Sequence, residues 1–151
     1  MKIITNYNPQ LLLSFIKLDD LQQNIFDPCR KMWVKNRPEE YVRQLNVAYL
    51  IQILGISPSR ISVERVIKVT QLKKRFDLVV YNKEGLPYFL FEIKSADYKI
   101  SQSIFDQAAR YNLCLKAPYL CISNGHCIVA ANIDIPSDNI QFVEELPSYP
   151  F

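Results

Sequence analysis

Phe76-Asp77-Leu78-Val79-Val80-Tyr81, a polar turn segment from Asn82 to Pro87, and Tyr88-Phe89-Leu90-Phe91-Glu92-Ile93-Lys94 decide how this chain is read. Both runs are rich in β-branched and aromatic residues, and the segment between them carries Gly85, which is the pattern of a β-hairpin. Symmetric closure sets Asp77 opposite Glu92, Val79 opposite Leu90 and Tyr81 opposite Tyr88. Opposed residues of an antiparallel pair share a face, with Cβ atoms roughly 4.5–5.5 Å apart, and like charges there repel. Side chains alternate along a strand, so Lys94 falls on the face of Glu92. Two acids and a lysine therefore converge at the end of an apolar hairpin, an arrangement suited to a charged guest.

A hard divalent cation is the natural guest. Two carboxylates, completed by waters and a substrate phosphate, suit Mg²⁺ better than zinc, which prefers nitrogen and sulfur. Lys94 is a poor metal ligand but can hold or help deprotonate an attacking water and offset phosphate charge. This is the chemistry of phosphodiester hydrolysis. The competing reading makes Asp77 and Glu92 solvated strand ends with Lys94 as a surface partner, and the spacing alone does not separate the two.

Asp77, Glu92-x-Lys94 and Gln107-x-x-x-Tyr111, in this order, resemble the PD-(D/E)XK nuclease superfamily, most nearly the N-terminal nuclease domain of type I restriction enzyme R subunits. Further similar text includes Pro38 to Gln44, Leu54-Gly55-Ile56, Val63-Glu64, Lys73 to Asp77, Asp106 to Asn112, Pro118-Tyr119-Leu120 and Ser123-Asn124-Gly125. Phe76 stands where the superfamily name has proline. The resemblance implies an α/β fold with a restriction-endonuclease-like core, a central mixed β-sheet flanked by helices. It implies a stand-alone DNA endonuclease domain in which Asp77, Glu92 and the Ile93 carbonyl bind Mg²⁺, with Mn²⁺ able to substitute. Lys94 would activate water, Gln107 and Tyr111 would support the site, and Glu40, or Glu39 beside it, would be the additional helix acid. Lys73, Lys74 and Arg75 would contact phosphate. The alternative is a non-catalytic nucleic-acid-binding or complex-assembly module that retains the nuclease fold.

Composition frames both alternatives. The 151 residues fit one domain spanning 1–151, with a core at 38–145 and an irregular N-terminal extension at 1–36. That extension is expected to hold a short helix near Gln10 to Leu18, with Trp33 as a packing anchor. A hydrophobic fraction of 49% with 22% charged residues excludes a disordered chain. The formal net charge of +3 permits nucleic-acid binding, and Lys73, Lys74 and Arg75 place cations directly before Asp77. Cys29, Cys114, Cys121 and Cys127 show no paired metal spacing and read as buried thiols of a reducing compartment. No signal peptide or membrane-length apolar run is visible, so a cytoplasmic protein without membrane contact is expected. With three glycines there is neither a Walker A loop nor a GxGxxG. The activity is thus not itself ATP-dependent, and a homodimer or a separate helicase or specificity partner joins DNA on the expected partner list.

Pro38 suits the first turn of a helix running to Leu54, with Gly55 at its C′ position. Val42, Leu45, Tyr49 and Ile53 form its core stripe, while Glu40, Arg43, Gln44 and Val47 form an adjoining face, one edge of which could reach the site, although such a face is more often simply wet. Ile61 to Val69 reads as a strand broken by Arg65, with Glu64 and Lys68 on the opposite face; a surface position is expected for Glu64, with an approach to the acidic pair as the alternative. Ser101 or Ser103 caps a helix to Leu115 with Ile104, Ala108, Tyr111 and Leu115 at core spacing. Asn124-Gly125 predicts a hairpin, His126 falls on the surface, and the tail from Asp138 adds an edge segment. The expected topology is a three-stranded meander followed by a helical crossover to the fourth strand.

Overall fold

The computed structural model describes residues 1–69 and 71–151. A helical turn α1 (Pro9–Leu12), continued by a 3-10 turn (Leu13–Phe15), precedes a two-stranded antiparallel sheet of β1 (Asn24–Asp27) and β2 (Met32–Lys35). There follow α2 (Pro38–Gln52), β3 (Ile61–Val69), β4 (Leu72–Tyr81), β5 (Pro87–Ile93), α3 (Gln102–Leu115), β6 (Tyr119–Ser123), β7 (Ile128–Asp134) and β8 (Asn139–Val143). β3 to β8 form one sheet in chain order, antiparallel except for the β5–β6 pair. A parallel pair needs a crossover, and α3 supplies it. The sheet is therefore the expected central mixed one, with β8 as its edge.

Alternation along the central strands divides the core into two layers. Leu78, Val80, Phe89, Phe91 and Ile93 face α2, where they meet Tyr49, Leu50 and the N-terminal residues Ile4, Tyr7 and Leu12. Val79, Leu90, Leu120 and Ile122 face α3 and pack on Phe105 and Ala108. Strands covered on both faces read as near-continuous apolar runs, which is why β4 and β5 were so conspicuous.

Several expectations are corrected. Residues 1–36 contain the β1–β2 sheet rather than an irregular extension, and the helix near Gln10 stops at Leu12. Trp33 is 43% exposed and anchors no core. Helix α2 has no wet face: every residue from Val42 to Leu50 is buried, Arg43 and Gln44 included, whereas Ile53 is exposed and Leu54 is buried. The inward stripe of α3 is Phe105, Ala108 and Asn112; the Asn112 side chain bonds both N–H and C=O of Ala117 and so ties the helix end to β6. Of the cysteines only Cys121 is buried, and Cys114 is exposed; all four are unpaired. In the β4–β5 hairpin Val79 does pair with Leu90, but an irregularity between Val80 and Tyr81 sets Tyr81 against Pro87 instead of Tyr88. The turn closes asymmetrically, because Asn82 Oδ1 accepts from the N–H groups of Glu84 and Leu86.

Gly125 has φ +85°, and a methyl group there would meet Val42 Cγ2 at 3.0 Å; Gly85, at φ +78°, has open space around it. Gly85→Ala is expected to cost about 1–2 kcal/mol for the left-handed backbone alone. Gly125→Ala should cost roughly 1–3 kcal/mol more through overpacking. Urea midpoints of the two variants check this, and equal shifts would show that Val42 yields freely.

Candidate active site

Continuing the register from Leu78 opposite Phe91 sets Asp77 across from Glu92 at the end of the β4–β5 hairpin. Asp77 Oδ2 accepts from the Ile93 N–H at 2.9 Å, and Oδ1 accepts from Arg43 at 3.1 Å. Lys94 Nζ donates to Glu92 Oε1 at 2.8 Å. Burial raises the Glu92 carboxyl above its usual value and the nearby Asp77 charge adds to this, while the Lys94 hydrogen bond opposes it. Lys94 is also partly desolvated, which would lower its pKa. The hydrogen bond and charge of Glu92, together with Asp77, hold it above the ordinary lysine value instead.

Asp77 and Glu92 open into a cleft of about 310 Å³, whose wall includes Lys73, Lys74, Arg75 and Tyr111. The Lys74 ammonium lies 3.4 Å from the Tyr111 ring centroid, and Gln107 Nε2 donates to the Tyr111 hydroxyl at 3.3 Å. Helix spacing explains the second contact, since residues four apart are neighbours on one face. Tyr111 is thereby oriented by Gln107 and in turn holds a cation at the cleft.

Behind the cleft lies a network that the sequence reading missed. Arg43 donates to Glu40 Oε2 at 2.5 Å, to Asp77, and approaches Glu64 Oε1 at 3.5 Å. Arg30 bonds Glu40 Oε1 at 2.7 Å, Glu64 Oε2 at 3.1 Å and the fully buried Asp27. Glu40 also accepts from Gln44 at 3.0 Å, so its carboxylate is engaged behind Arg43, which stands between it and Asp77. Glu39 is exposed, and its charge also acts on Glu92. Glu64, expected on the surface, lies across from Asp77 with φ +49° and turns its carboxylate into this network. The interrupted alternation at Arg65 was the trace of that irregularity. Asp27-Pro28-Cys29-Arg30 carried the other signal, because Asp27 Oδ1 accepts from the N–H groups of Cys29 and Arg30 as turn aspartates do.

Among the described residues no three His, Cys, Asp or Glu side chains gather as a metal site. The acidic donors lining the cleft are the carboxylates of Asp77 and Glu92. Such a set fits a hard cation that keeps several waters, and the charge of a cation would relieve the partly buried Glu92.

Residues 38–147 match the family described as type I restriction enzyme R protein N terminus (HSDR_N). The chain belongs to this family. Among solved structures it is similar to a fragment from Vibrio vulnificus YJ016 assigned as the HsdR subunit of a type I restriction enzyme, with a TM-score of 0.51 at 18% identity. That likeness, which is one of fold, covers 73% of this chain and 23% of the other, so the chain spans about a quarter of its length. No curated protein matches significantly. The family segment begins at Pro38 and therefore includes Glu40, Arg43 and the cleft, while β1, β2 and Arg30 precede it. No helix is long and apolar enough to cross a membrane among the described residues.

Removing one member of a buried ion network strands its partners. Arg43→Met is expected to destabilise the fold by about 3–5 kcal/mol in urea denaturation, and a loss below roughly 1 kcal/mol would mean that water already solvates the network. Glu92 gives a pH test. Its folded pKa is raised, so the folded state binds that proton more tightly than the unfolded chain, and the stability it contributes is lost as pH rises through the usual carboxylate range. Glu92→Gln should thus gain stability relative to wild type as pH rises from about 4. A difference independent of pH would remove the burial argument.

Proposed function

We propose that this domain is a divalent-metal-dependent DNA endonuclease that hydrolyses phosphodiester bonds. The observation that carries the reading is the pair Asp77 and Glu92 at a cleft lined by Lys73, Lys74 and Arg75, with Lys94 hydrogen-bonded to Glu92. The nuclease-like character of the HSDR_N family supports it.

In this reading Asp77 and Glu92, with the Ile93 carbonyl, would hold Mg²⁺ or Mn²⁺. The bound ion would polarise the scissile phosphate and make a coordinated water more acidic. Lys73, Lys74 and Arg75 bind and orient the phosphate backbone, with Lys74 preset by its seat on Tyr111. Arg43 and the Ile93 N–H fix the Asp77 carboxylate. Lys94 is aligned by Glu92 and offers N–H donors to the attacking water and to charge developing on phosphate oxygen. Glu40 acts through Arg43 as a positioning residue. A cytoplasmic setting suits four unpaired thiols, and separate helicase and specificity subunits, or a second copy of the chain, would supply DNA access.

A second reading, a nucleic-acid-binding or assembly module that does not cut, draws on one feature. The Arg43 guanidinium already neutralises Asp77.

Plasmid cleavage with Mg²⁺ or Mn²⁺, alongside titration calorimetry of the metal, separates the two. Asp77→Ala, Glu92→Ala and Lys94→Ala are each expected to lower cleavage by about 10²-fold or more, and Asp77→Ala should also abolish the metal heat. Metal-independent DNA binding, unchanged in Asp77→Ala and never followed by cleavage, would favour the second reading.

A further inference from the structure

The outward face of the β1–β2 sheet carries chemistry that the cleft does not use. Ile25 and Asp27 are fully buried, so alternation turns Phe26 and its partner Trp33 away from the core. Their rings meet edge to face with centroids 5.5 Å apart, yet Trp33 remains 43% exposed. Lys17 Nζ lies 5.4 Å from the Phe26 ring and 5.5 Å from that of Trp33. Lys35 alternates onto the face of Trp33, and Arg37 follows it, both exposed. Asp19 is the acid beside Lys35, and its oxygens are occupied by the Gln23 and Asn24 N–H groups and by Asn24 Nδ2.

An exposed indole set among lysines suits a partner that offers both flat π-faces and negative charge. An apolar protein surface would leave the cations without partners. A nucleic-acid strand satisfies both demands, since bases stack on aromatic side chains while phosphates meet lysine and arginine. A route to the acidic pair is also present. Lys35 and Arg37 line a cavity of about 560 Å³ together with Arg30 and Arg75. Arg75 lines the Asp77–Glu92 cleft as well. Of the three acids in the cavity wall, Glu40 and Glu64 are paired with Arg30 and Arg43, and Glu39 is exposed to solvent.

We infer that this face is a docking platform for single-stranded DNA. One base stacks on Trp33, Lys17, Lys35 and Arg37 hold flanking phosphates, and the strand continues past Arg75 to the cleft. Stacking on one exposed ring requires an unpaired base, which selects single-stranded over duplex DNA. The inference rests on the nuclease reading only for where the strand leads.

Trp33 is the single tryptophan, so its emission reports the platform directly. The full chain is titrated in EDTA with a mixed-sequence single-stranded DNA oligonucleotide, and the labelled oligonucleotide is followed in parallel by anisotropy. Saturable quenching is expected. Trp33→Ala should weaken binding roughly 5- to 100-fold while Trp33→Phe retains most of it, and Lys35→Gln should reduce the salt slope by about 0.7. Binding without quenching, or an affinity of Trp33→Ala within about twofold of wild type, overturns the platform. Equal quenching by a duplex, or tighter binding of an RNA of the same sequence, overturns the assignment to single-stranded DNA. Cleavage by wild type in Mg²⁺ is read separately. Quenching without cleavage keeps the platform and removes the nuclease reading, and cleavage without quenching does the reverse.

Discussion

A guanidinium left only 4% exposed needs charged partners, and the cleft end of the sheet is organised around Arg43 for that reason. The side chain rises from the buried side of α2, and its donors reach Glu40 on its own helix, Glu64 on β3 and Asp77 on β4. Two strands that share no backbone hydrogen bonds with α2 are thereby held to it at one point. Arg30 repeats the arrangement from the β1–β2 turn, so the N-terminal sheet is bound to the same carboxylates. Among the described residues Arg43 Nε is buried without a partner, so the cationic group is satisfied chiefly through its terminal nitrogens.

This network explains how the two acids of the hairpin can stay close. Asp77 is neutralised from behind by Arg43 and from its own sheet by the Ile93 N–H, whereas Glu92 depends on Lys94 and carries the burial penalty. The asymmetry leaves Glu92 as the less satisfied carboxylate facing the cleft. Further cationic charge lines the cleft wall at Lys73, Lys74 and Arg75, of which Arg75 also approaches Glu64 at 3.7 Å. The charges of this small region are thus preset by packing.

Much of the architecture could be read directly from residues. The β4–β5 hairpin, α2 beginning at Pro38, the crossover helix, the Asn124-Gly125 turn and the edge strand after Asp138 each carried a local signal of periodicity or turn chemistry. Asp77, Glu92 and Lys94 were legible because period-two alternation from Val79 and Leu90 carries them to one face. The inward Arg43, the reversal of Glu64 and the exposure of Trp33 were not. Helical spacing marks a polar face but does not say whether another element covers it, and here the N-terminal segments cover α2. The shifted pairing of Tyr81 shows the same limit, since the Asn82 side chain, not strand propensity, sets how the turn closes.

The sequence by itself determined the order of elements from α2 to β8 and the three residues at the hairpin end, because these follow from local conformational preference and side-chain alternation. Only the tertiary structure decided which charges pair. Glu40 sits behind Arg43, Arg30 returns from a hairpin outside the family segment, and Lys74 settles on Tyr111. Ion pairs of this kind join residues distant in the chain, and their partners are chosen by burial and the cost of desolvation, which exist only once the layers have packed.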